Sequence, residues 1–262
     1  AAHEIVITDL FPFFEKIRSQ MPACEITPDR IHFHTIIHLL IAAIFAENLE
    51  SDPIVASVHL NHPKTALRAE VENVCISKCA ASFIYKPRAL PFYNAPVCQQ
   101  LEHFFPFAEG MNQEILLIKD LEPGQYQLFL DGKPTGIYSA EDWEAGVNIA
   151  CLKENPNQLR SAQLYQLLCT DWYSPMHDLR RLAYQIEHCM KLGINLNRIS
   201  EYKPNNTLND EPAFLKFCGN YYETILALFQ QKEINERILD HLWLEAASIT
   251  PCQYPIKVCR IP

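Results

Sequence analysis

The 262-residue chain is 48% hydrophobic, which is enough apolar material for one large domain or two smaller ones with their own cores. Its 22 Lys and Arg residues stand against 31 Asp and Glu residues, and no basic stretch is interleaved with aromatic residues, so the sequence predicts no nucleic acid partner. The longest apolar run, at 36–45, is shorter than the roughly 20 residues of a membrane-spanning helix and contains His38, so no membrane span is predicted.

The start of the sequence and its cysteines bear on the cellular compartment. No basic stretch followed by an apolar one opens the sequence, so it predicts no secretory signal and leaves the native amino terminus and the location open. The ten cysteines are scattered and form no Cys-x-x-Cys pair. This distribution predicts buried free thiols in a reducing compartment, with a set of disulfides as the alternative because the count is even.

The first fifty residues predict a strand followed by two helices. EIVITDL at 4–10 is a short β-branched run typical of a buried parallel strand, and FPFFEKIRSQM at 11–21 has apolar residues at helical spacing. After a loop, TIIHLLIAAIFAENL at 35–49 is the next predicted helix. The order of strand and helix predicts an α/β fold class.

The middle of the chain changes from proline-punctuated to strand-like. Residues 51–114 carry repeated prolines and predict a connector, with 86–97 extended over the surface. Residues 115–140 contain alternating apolar segments separated by Gly-bearing turns, which predict a small antiparallel β-meander that is not continuous with the sheet of the first strand. SAED at 139–142 predicts a capped helix start, so residues 115–150 are interpreted as one β-meander module.

The remaining residues, 151–262, predict a helical extension with a strand-like tail. Two long segments, at 158–194 and 211–247, have helical spacing, and a Pro/Asn/Thr-rich loop at 203–212 separates them. YPIKVCRIP at 254–262 is the strand-like tail. Trp143 and Trp172 are predicted packing anchors, because aromatic side chains bury large areas where elements meet.

Four groups that can titrate or bind a metal stand at the start of the second predicted helix. ITPDRIHFHTIIHLL at 26–40 contains Asp29, His32, His34 and His38. Histidine titrates near neutral pH, and a carboxylate three residues away can orient it and stabilise its charged form. The stretch therefore predicts an acid–base pair in a loop just before a helix, a metal site, or a helix start with unrelated histidines.

The segment DRIH at 29–32 resembles the Asp-x-x-His block of the SGNH, or GDSL-type, ester hydrolases. The similarity extends to His38, where that block often has a Gly-His pair before its helix. The sequence departs from the family's pattern at Phe33, where proline is usual, and at Ile37, where glycine is usual.

A second, more specific resemblance lies at 120–150, DLEPGQYQLFLDGKPTGIYSAEDWEAGVNIA. It is similar to a segment that follows the hydrolase domain in a bacterial subgroup of the same family. Those proteins carry a Leu-x-Pro-Gly-x-Tyr strand, an Asp-Gly hairpin, and a Gly-Val-Asn-Leu-Ala stretch after a short helix. Together the two resemblances cover most of the chain.

The resemblance implies that residues 1–50 are the carboxyl-terminal part of a flavodoxin-like, three-layer SGNH hydrolase domain. It implies that Asp29 and His32 are catalytic in a Ser-His-Asp mechanism that hydrolyses acyl esters or acetylated carbohydrates. The family's Gly-Asp-Ser and Gly-x-Asn-Asp blocks do not occur in this sequence, so the nucleophile is expected outside it. No cofactor or metal is implied, the expected partner is a small-molecule or carbohydrate ester substrate, and the oligomeric state stays open.

Two other functions remain open. One is a non-catalytic binding module derived from that family. The other is a metal-dependent hydrolase, because two histidines four residues apart share one face of a helix. Its candidate ligands are Asp29, His32, His34, His38, His59 and His62.

The alternatives predict different geometries. An acid–base pair requires Asp29 and His32 to lie within hydrogen-bond reach, at about 2.6–3.2 Å, with His38 pointing away into the packing of its helix. A metal site requires the three histidines of 32–38 to converge on one point.

Overall fold

The computed structural model describes residues 9–20, 26–27, 29, 31–49, 51–60, 64–102, 104–191 and 212–262. The strands are β1 Ile54–His59, β2 Thr65–Leu67, β3 Ala69–Ser77, β4 Ala80–Pro87, β5 Gln113–Leu117, β6 Gln125–Leu130, β7 Lys133–Ser139, β8 Val147–Asn148 and β9 Tyr254–Arg260. The helices are α1 Phe11–Gln20, α2 Thr35–Asn48, α3 Pro96–Leu101, α4 Phe107–Met111, α5 Ala140–Ala145, α6 Pro156–Tyr165, α7 Tyr173–Lys191 and α8 Pro212–Ser248, with a π-helical segment at Gln166–Asp171.

The chain forms two compact units. Residues 1–163 and 250–262 make the first unit, which contains both β-sheets, and residues 164–249 make the second, which is helical. The predicted α/β fold class, with an antiparallel sheet and a helical carboxyl-terminal region, is confirmed. The boundary after residue 163 differs from the predicted boundaries at 50, 114 and 150. Strands on both sides of 114 and 150 share one core, and the helix that ends before residue 50 packs in a second cluster with Cys98 and Phe107.

The first unit is built around two sheets. The small sheet has the strand order β2-β1-β5-β8, and within it β1 and β5 are parallel. The large sheet is antiparallel and has the order β3-β4-β9-β6-β7. One cluster of buried side chains includes Val58 and Leu116 from the small sheet and Phe83, Leu128 and Val258 from the large one. The two sheets therefore pack face to face over a shared core.

Local sequence signals explain two features of the large sheet. Asp131 and Gly132 both have positive φ, 50° and 76°, and they join β6 to β7 with Leu130 paired to Lys133. This is the two-residue hairpin turn that an Asp-Gly pair favours.

At the start of α5 the Ser139 Oγ accepts the Asp142 N–H at 3.1 Å, and the Asp142 carboxylate accepts the Ser139 N–H at 2.7 Å, so the predicted capped start is confirmed.

The strands predicted for 115–140 divide between the two sheets. β6 and β7 form the predicted antiparallel hairpin, whereas β5 pairs in parallel with β1. The free edge of β6 pairs with β9, so the strand-like tail is a central strand that lies between β4 and β6. Apolar alternation predicts that a segment is a strand, but it does not identify the distant segment with which that strand pairs.

The prediction that residues 51–114 form a proline-rich connector is wrong. This range contains β1 to β4 and the short helices α3 and α4. Two of its prolines stand at the ends of strands, where a missing N–H costs little: Pro53 directly precedes β1, and Pro87 is the last residue of β4. Pro96 and Pro106 stand at the starts of α3 and α4. The stretch at 88–95 is irregular and lies within the extended segment predicted at 86–97.

The two helices predicted in the first fifty residues are present as α1 and α2. The predicted strand at 4–10 and most of the segment between the helices lie outside the described residues. The Asp9 carboxylate accepts the Phe11 N–H at 2.9 Å and so caps α1. One side of α2 packs with Ile17 of α1 and with Phe107 in a second cluster of buried side chains, through residues that include Ile37 and Leu40. This cluster fixes the start of α2, which is where the candidate site residues lie.

The second unit contains the predicted long helices. The loop predicted at 203–212 lies outside the described residues except for Pro212, where α8 begins. Just before α7 the backbone hydrogen bonds join residues five apart instead of four, as in the bond from the Trp172 N–H to the Leu167 carbonyl at 3.0 Å. Pro175, in the first turn of α7, explains this change, because proline has no N–H and its ring clashes with the carbonyl four residues earlier. Trp172 packs against the small core around Leu167 and Leu242, as predicted for an anchor.

None of the helices that the structure describes combines the length and the apolar character needed to cross a membrane.

The cysteines whose side chains are described carry free thiols. Cys98 is buried, and burial raises the pKa of its thiol. Cys75, Cys79 and Cys169 are exposed, so the prediction of burial is wrong for these residues.

The central position of β9 leads to a stability prediction. Ile256→Ala should lower the free energy of unfolding by roughly 2–5 kcal/mol, because Ile256 is buried between the sheets and its removal leaves a cavity. Lys257→Ala is the matched control, since Lys257 is exposed on the opposite face of the same strand, and it should change the free energy by less than about 0.5 kcal/mol. Urea unfolding followed by circular dichroism measures both, and equal losses would contradict the assignment of the two faces.

Candidate active site

Asp29 and His32 form a hydrogen-bonded pair at the surface. The Asp29 Oδ2 lies 2.6 Å from the His32 Nδ1, within the predicted range. Both side chains are open to solvent, with 51% of Asp29 and 80% of His32 exposed. Because the carboxylate occupies the Nδ1 of His32, the Nε2 is the ring nitrogen that can exchange a proton with another molecule.

The backbone of the loop fixes the carboxylate. The Asp29 Oδ1 accepts the N–H groups of Ile31 at 2.9 Å and of His32 at 2.7 Å, which closes a turn around the aspartate side chain. The His34 N–H donates to the Ile26 carbonyl at 3.0 Å, which closes the loop just before α2. The spacing of three residues in Asp-x-x-His thus lets one carboxylate hold the turn with one oxygen and the imidazole with the other.

These hydrogen bonds hold the pKa of the Asp29 carboxyl well below its usual range. The largest cause is the hydrogen bond from the His32 ring, followed by the backbone N–H groups of His32 and Ile31. The aspartate therefore stays ionised through the whole range in which a histidine titrates. A permanently charged carboxylate is what an imidazole needs if it is to be oriented and stabilised when it takes up a proton.

The other two histidines of the segment do not join this pair. His38 is exposed, and its ring stands edge-on to Phe33 at a centroid distance of 6.1 Å, while Phe33 stacks on Phe14 at 5.2 Å. The prediction that His38 points into the helix packing is wrong, because α2 is buried along the side that carries Ile37 and Leu40. His34 is exposed at the start of α2 and makes no side-chain capping bond.

The geometry bears on the alternative metal site. Among the residues that the structure describes, no group of three or more His, Cys, Asp or Glu side chains is placed to hold a metal ion. His59 is half-buried at the end of β1, and His62 lies outside the described residues. Across the described ranges, no serine hydroxyl is hydrogen-bonded to His32, and the Ser19 hydroxyl instead donates to the Lys16 carbonyl at 2.6 Å.

Apolar side chains flank the Asp29–His32 pair along the chain. Ile31 is 77% exposed and Phe33 is 37% exposed, on either side of His32. Both side chains place apolar surface beside the imidazole.

A second ionisable cluster, which the sequence did not predict, is buried between the two sheets. Glu114 on β5 is fully buried, and its carboxyl accepts the Tyr85 O–H at 2.8 Å and the Asn155 Nδ2–H at 2.7 Å. The Tyr254 hydroxyl donates to the Asn155 Oδ1 at 3.2 Å. The cluster thus joins β5 of the small sheet to β4 and β9 of the large one.

Burial raises the pKa of Glu114 to about 7, although the hydrogen bonds from Tyr85 and Asn155 oppose this rise. Burial likewise raises the pKa of the Tyr85 and Tyr254 phenols. The signal was present in the sequence, because Glu114 stands two residues before Leu116 and alternate residues of a strand face the same side. It was missed because the predicted strand began at residue 115.

Buried amides next to this cluster order the irregular stretch at 88–95. The Asn112 side chain accepts the Phe92 N–H at 2.8 Å and donates to the Phe92 carbonyl at 3.2 Å. The Gln158 side chain accepts the Asn94 N–H at 3.0 Å and donates to the Phe92 carbonyl at 2.8 Å. Side chains therefore satisfy backbone groups that have no partner strand.

The raised pKa of Glu114 predicts a pH-dependent stability. Between the ordinary pKa of 4.5 and about 7 the folded chain holds the Glu114 proton more tightly than the unfolded chain does, so the free energy of unfolding should fall as pH rises through this window. The total loss should be roughly 3 kcal/mol, and it should level off above the window. Urea unfolding at several pH values measures it.

Glu114→Gln should remove this pH dependence, because the amide does not titrate. Glu109→Gln is the matched control, since Glu109 is exposed. In this variant the free energy of unfolding should still fall as pH rises. A Glu114→Gln protein with the same pH profile as the unmodified chain would show that Glu114 is not the group responsible.

Comparison with known proteins gives one structural likeness. No protein-family model matches the chain, and no curated protein matches it with significance. A solved structure named BT4096, a gut microbial diltiazem-metabolizing enzyme, is similar with a TM-score of 0.72 and 20% sequence identity. The match covers 95% of this chain and 60% of that one, so the chain has the fold of part of that protein and spans about 60% of its length.

Proposed function

We propose that Asp29 and His32 are the acid–base residues of an ester hydrolase of the SGNH, or GDSL, type, whose nucleophilic serine lies outside these 262 residues. The observation that carries this proposal is the 2.6 Å contact between the Asp29 Oδ2 and the His32 Nδ1. It combines an ionised, backbone-anchored carboxylate with an imidazole that presents its other nitrogen to solvent. This arrangement matches the two supporting members of a Ser-His-Asp triad.

In the proposed reaction the serine oxygen attacks the carbonyl carbon of an ester while its proton passes to the His32 Nε2. Asp29 stabilises the imidazolium through Nδ1. The tetrahedral intermediate collapses when His32 returns the proton to the leaving alcohol oxygen, which leaves an acyl-serine. A water molecule then attacks the acyl-serine with His32 again as the base, and the free acid and the serine are released.

The structural likeness supports this proposal without identifying the substrate. The similar protein is named as a diltiazem-metabolizing enzyme, and hydrolysis of an ester is compatible with such an activity. The likeness covers 95% of this chain. The exposed apolar side chains of Ile31 and Phe33 are positioned for contact with the segment that carries the serine or with an apolar substrate.

The proposal predicts how activity depends on the nucleophile. The 262-residue chain alone should hydrolyse nitrophenyl acetate no faster than its His32→Ala variant, and a serine-directed fluorophosphonate should not label it, because no oxyanion donors or nucleophile are assigned within it. A polypeptide from the same gene that joins a Gly-Asp-Ser segment to this chain should show both activities. Steady-state kinetics and mass spectrometry of the labelled protein are the measurements.

Substitutions in that longer polypeptide separate the roles of the two residues. His32→Ala should lower kcat by about 10²–10⁴-fold, because the base is lost. Asp29→Ala should cost less, since the aspartate orients the base without transferring the proton. His38→Ala is the matched control and should retain full activity. An unchanged kcat in His32→Ala, or stoichiometric labelling of one serine in the 262-residue chain alone, would overturn the proposal.

A further inference from the structure

A crevice opens where the large sheet extends past the end of the small one. The parallel strands β1 and β5 end at His59 and Leu117, and the Leu60 N–H still donates to the Leu117 carbonyl at 2.8 Å. Among the described residues no strand faces the β3–β4 hairpin beyond this point, and a cavity of about 500 Å³ lies there. Ligands of open α/β sheets bind outside the carboxyl ends of parallel strands, and this crevice has that position.

The crevice has an apolar wall because β3 contains a bulge. The pairing register of β3 shifts between Glu72 and Cys75, and Asn73 within the shift has a φ of 53°. The bulge turns Val74 toward the core, where it is partly buried, and Ile76 two residues later faces the same side. Val74 and Ile76 thus line the crevice together with Leu60, and Ile76 remains 45% exposed although it lies on the inner face of the sheet.

The rim of the crevice is cationic in a protein of net charge -9. Lys64, Lys78 and Lys119 all line it, and Asp120 is the one carboxylate among its described lining residues. Within the described parts of the chain none of the three ammonium groups makes an ion pair. The nearby Glu122 carboxylate is already paired with Arg260 at 3.0 Å. The rim therefore carries a local excess of positive charge.

Hydrogen bonds join the two walls of the crevice. The Lys78 carbonyl, in the turn between β3 and β4, accepts the Glu122 N–H at 2.8 Å and the Tyr126 O–H at 3.0 Å. The turn that carries Lys78 is thereby fixed to the loop that carries Lys119 and Asp120. The cavity is preformed, and its volume lies within the roughly 300–1,000 Å³ that is typical of small-molecule sites.

We propose that this crevice binds a small amphipathic anion, whose apolar body lies against Leu60, Val74 and Ile76 and whose carboxylate or phosphate head contacts the three lysines. An apolar wall beside a cationic rim is complementary to this class of ligand and disfavours both neutral and strongly cationic molecules. The site shares no residue with the Asp29–His32 pair, so it does not depend on the proposed hydrolase function.

Calorimetric titration of the full 262-residue chain tests the proposal with four probes. Octanoate and octyl phosphate carry both features of the ligand, 1-octanol carries the apolar body alone, and inorganic phosphate carries the charge alone. We expect one-to-one binding of at least one of the two amphipathic anions, at least about tenfold weaker binding of 1-octanol, and no binding of inorganic phosphate at the same concentrations. Binding of the anion should weaken as salt is raised, because the lysines are exposed.

A double variant, Lys78→Gln with Lys119→Gln, should lower the affinity for the amphipathic anion by about tenfold or more. Two of the three positive charges are removed, while the apolar stems of the side chains remain. Lys133→Gln is the matched control, since Lys133 is exposed at the β6–β7 turn and does not line the crevice. Equal affinity for octanoate and 1-octanol, or an unchanged affinity in the double variant, would overturn the proposal, as would an equal loss in Lys133→Gln.

Discussion

The buried carboxyl of Glu114 is the constraint on which the first unit depends. Its hydrogen bonds to Tyr85 and Asn155, together with the bond from Tyr254 to Asn155, join strands of both sheets at one point. A carboxyl without partners at this depth would cost several kcal/mol, so the sequence must bring β4, β5 and β9 together before the group can be buried. The polar cluster thus links the two sheets at one point within the apolar core that they share.

The two carboxyls that matter most in this chain have opposite environments. Burial raises the pKa of Glu114, which keeps a proton near neutral pH and serves the structure. Hydrogen bonds lower the pKa of Asp29, which is exposed, stays charged and holds an imidazole beside it. The same functional group is thus a structural element in one place and a candidate catalytic element in the other, and the difference comes from solvation and hydrogen-bond donors. The role proposed for Asp29 rests on this contrast as well as on the spacing of the motif.

Short-range features could be predicted from the sequence, and long-range ones could not. The Asp131-Gly132 turn and the capping of α5 by Ser139 depend on neighbours within a few residues, and so does the Asp29–His32 contact. The pairing of β9 with β4 and β6 depends on residues far apart in the chain, which periodicity does not identify. The prolines at 53 and 87 concealed β1 and β4, and the exposure of His38 depended on which side of α2 is packed.

The central claim is that Asp29 holds His32 in the tautomer whose Nε2 can accept a proton. Nitrogen NMR of the His32 ring at about pH 8.5, where a histidine is neutral, tests this directly, with the signals assigned by their loss in His32→Gln. We expect Nδ1 to carry the proton and Nε2 to be unprotonated, and we expect Asp29→Ala to shift the population toward the Nε2–H tautomer. A dominant Nε2–H tautomer in the unmodified chain, or no change in Asp29→Ala, would contradict this claim.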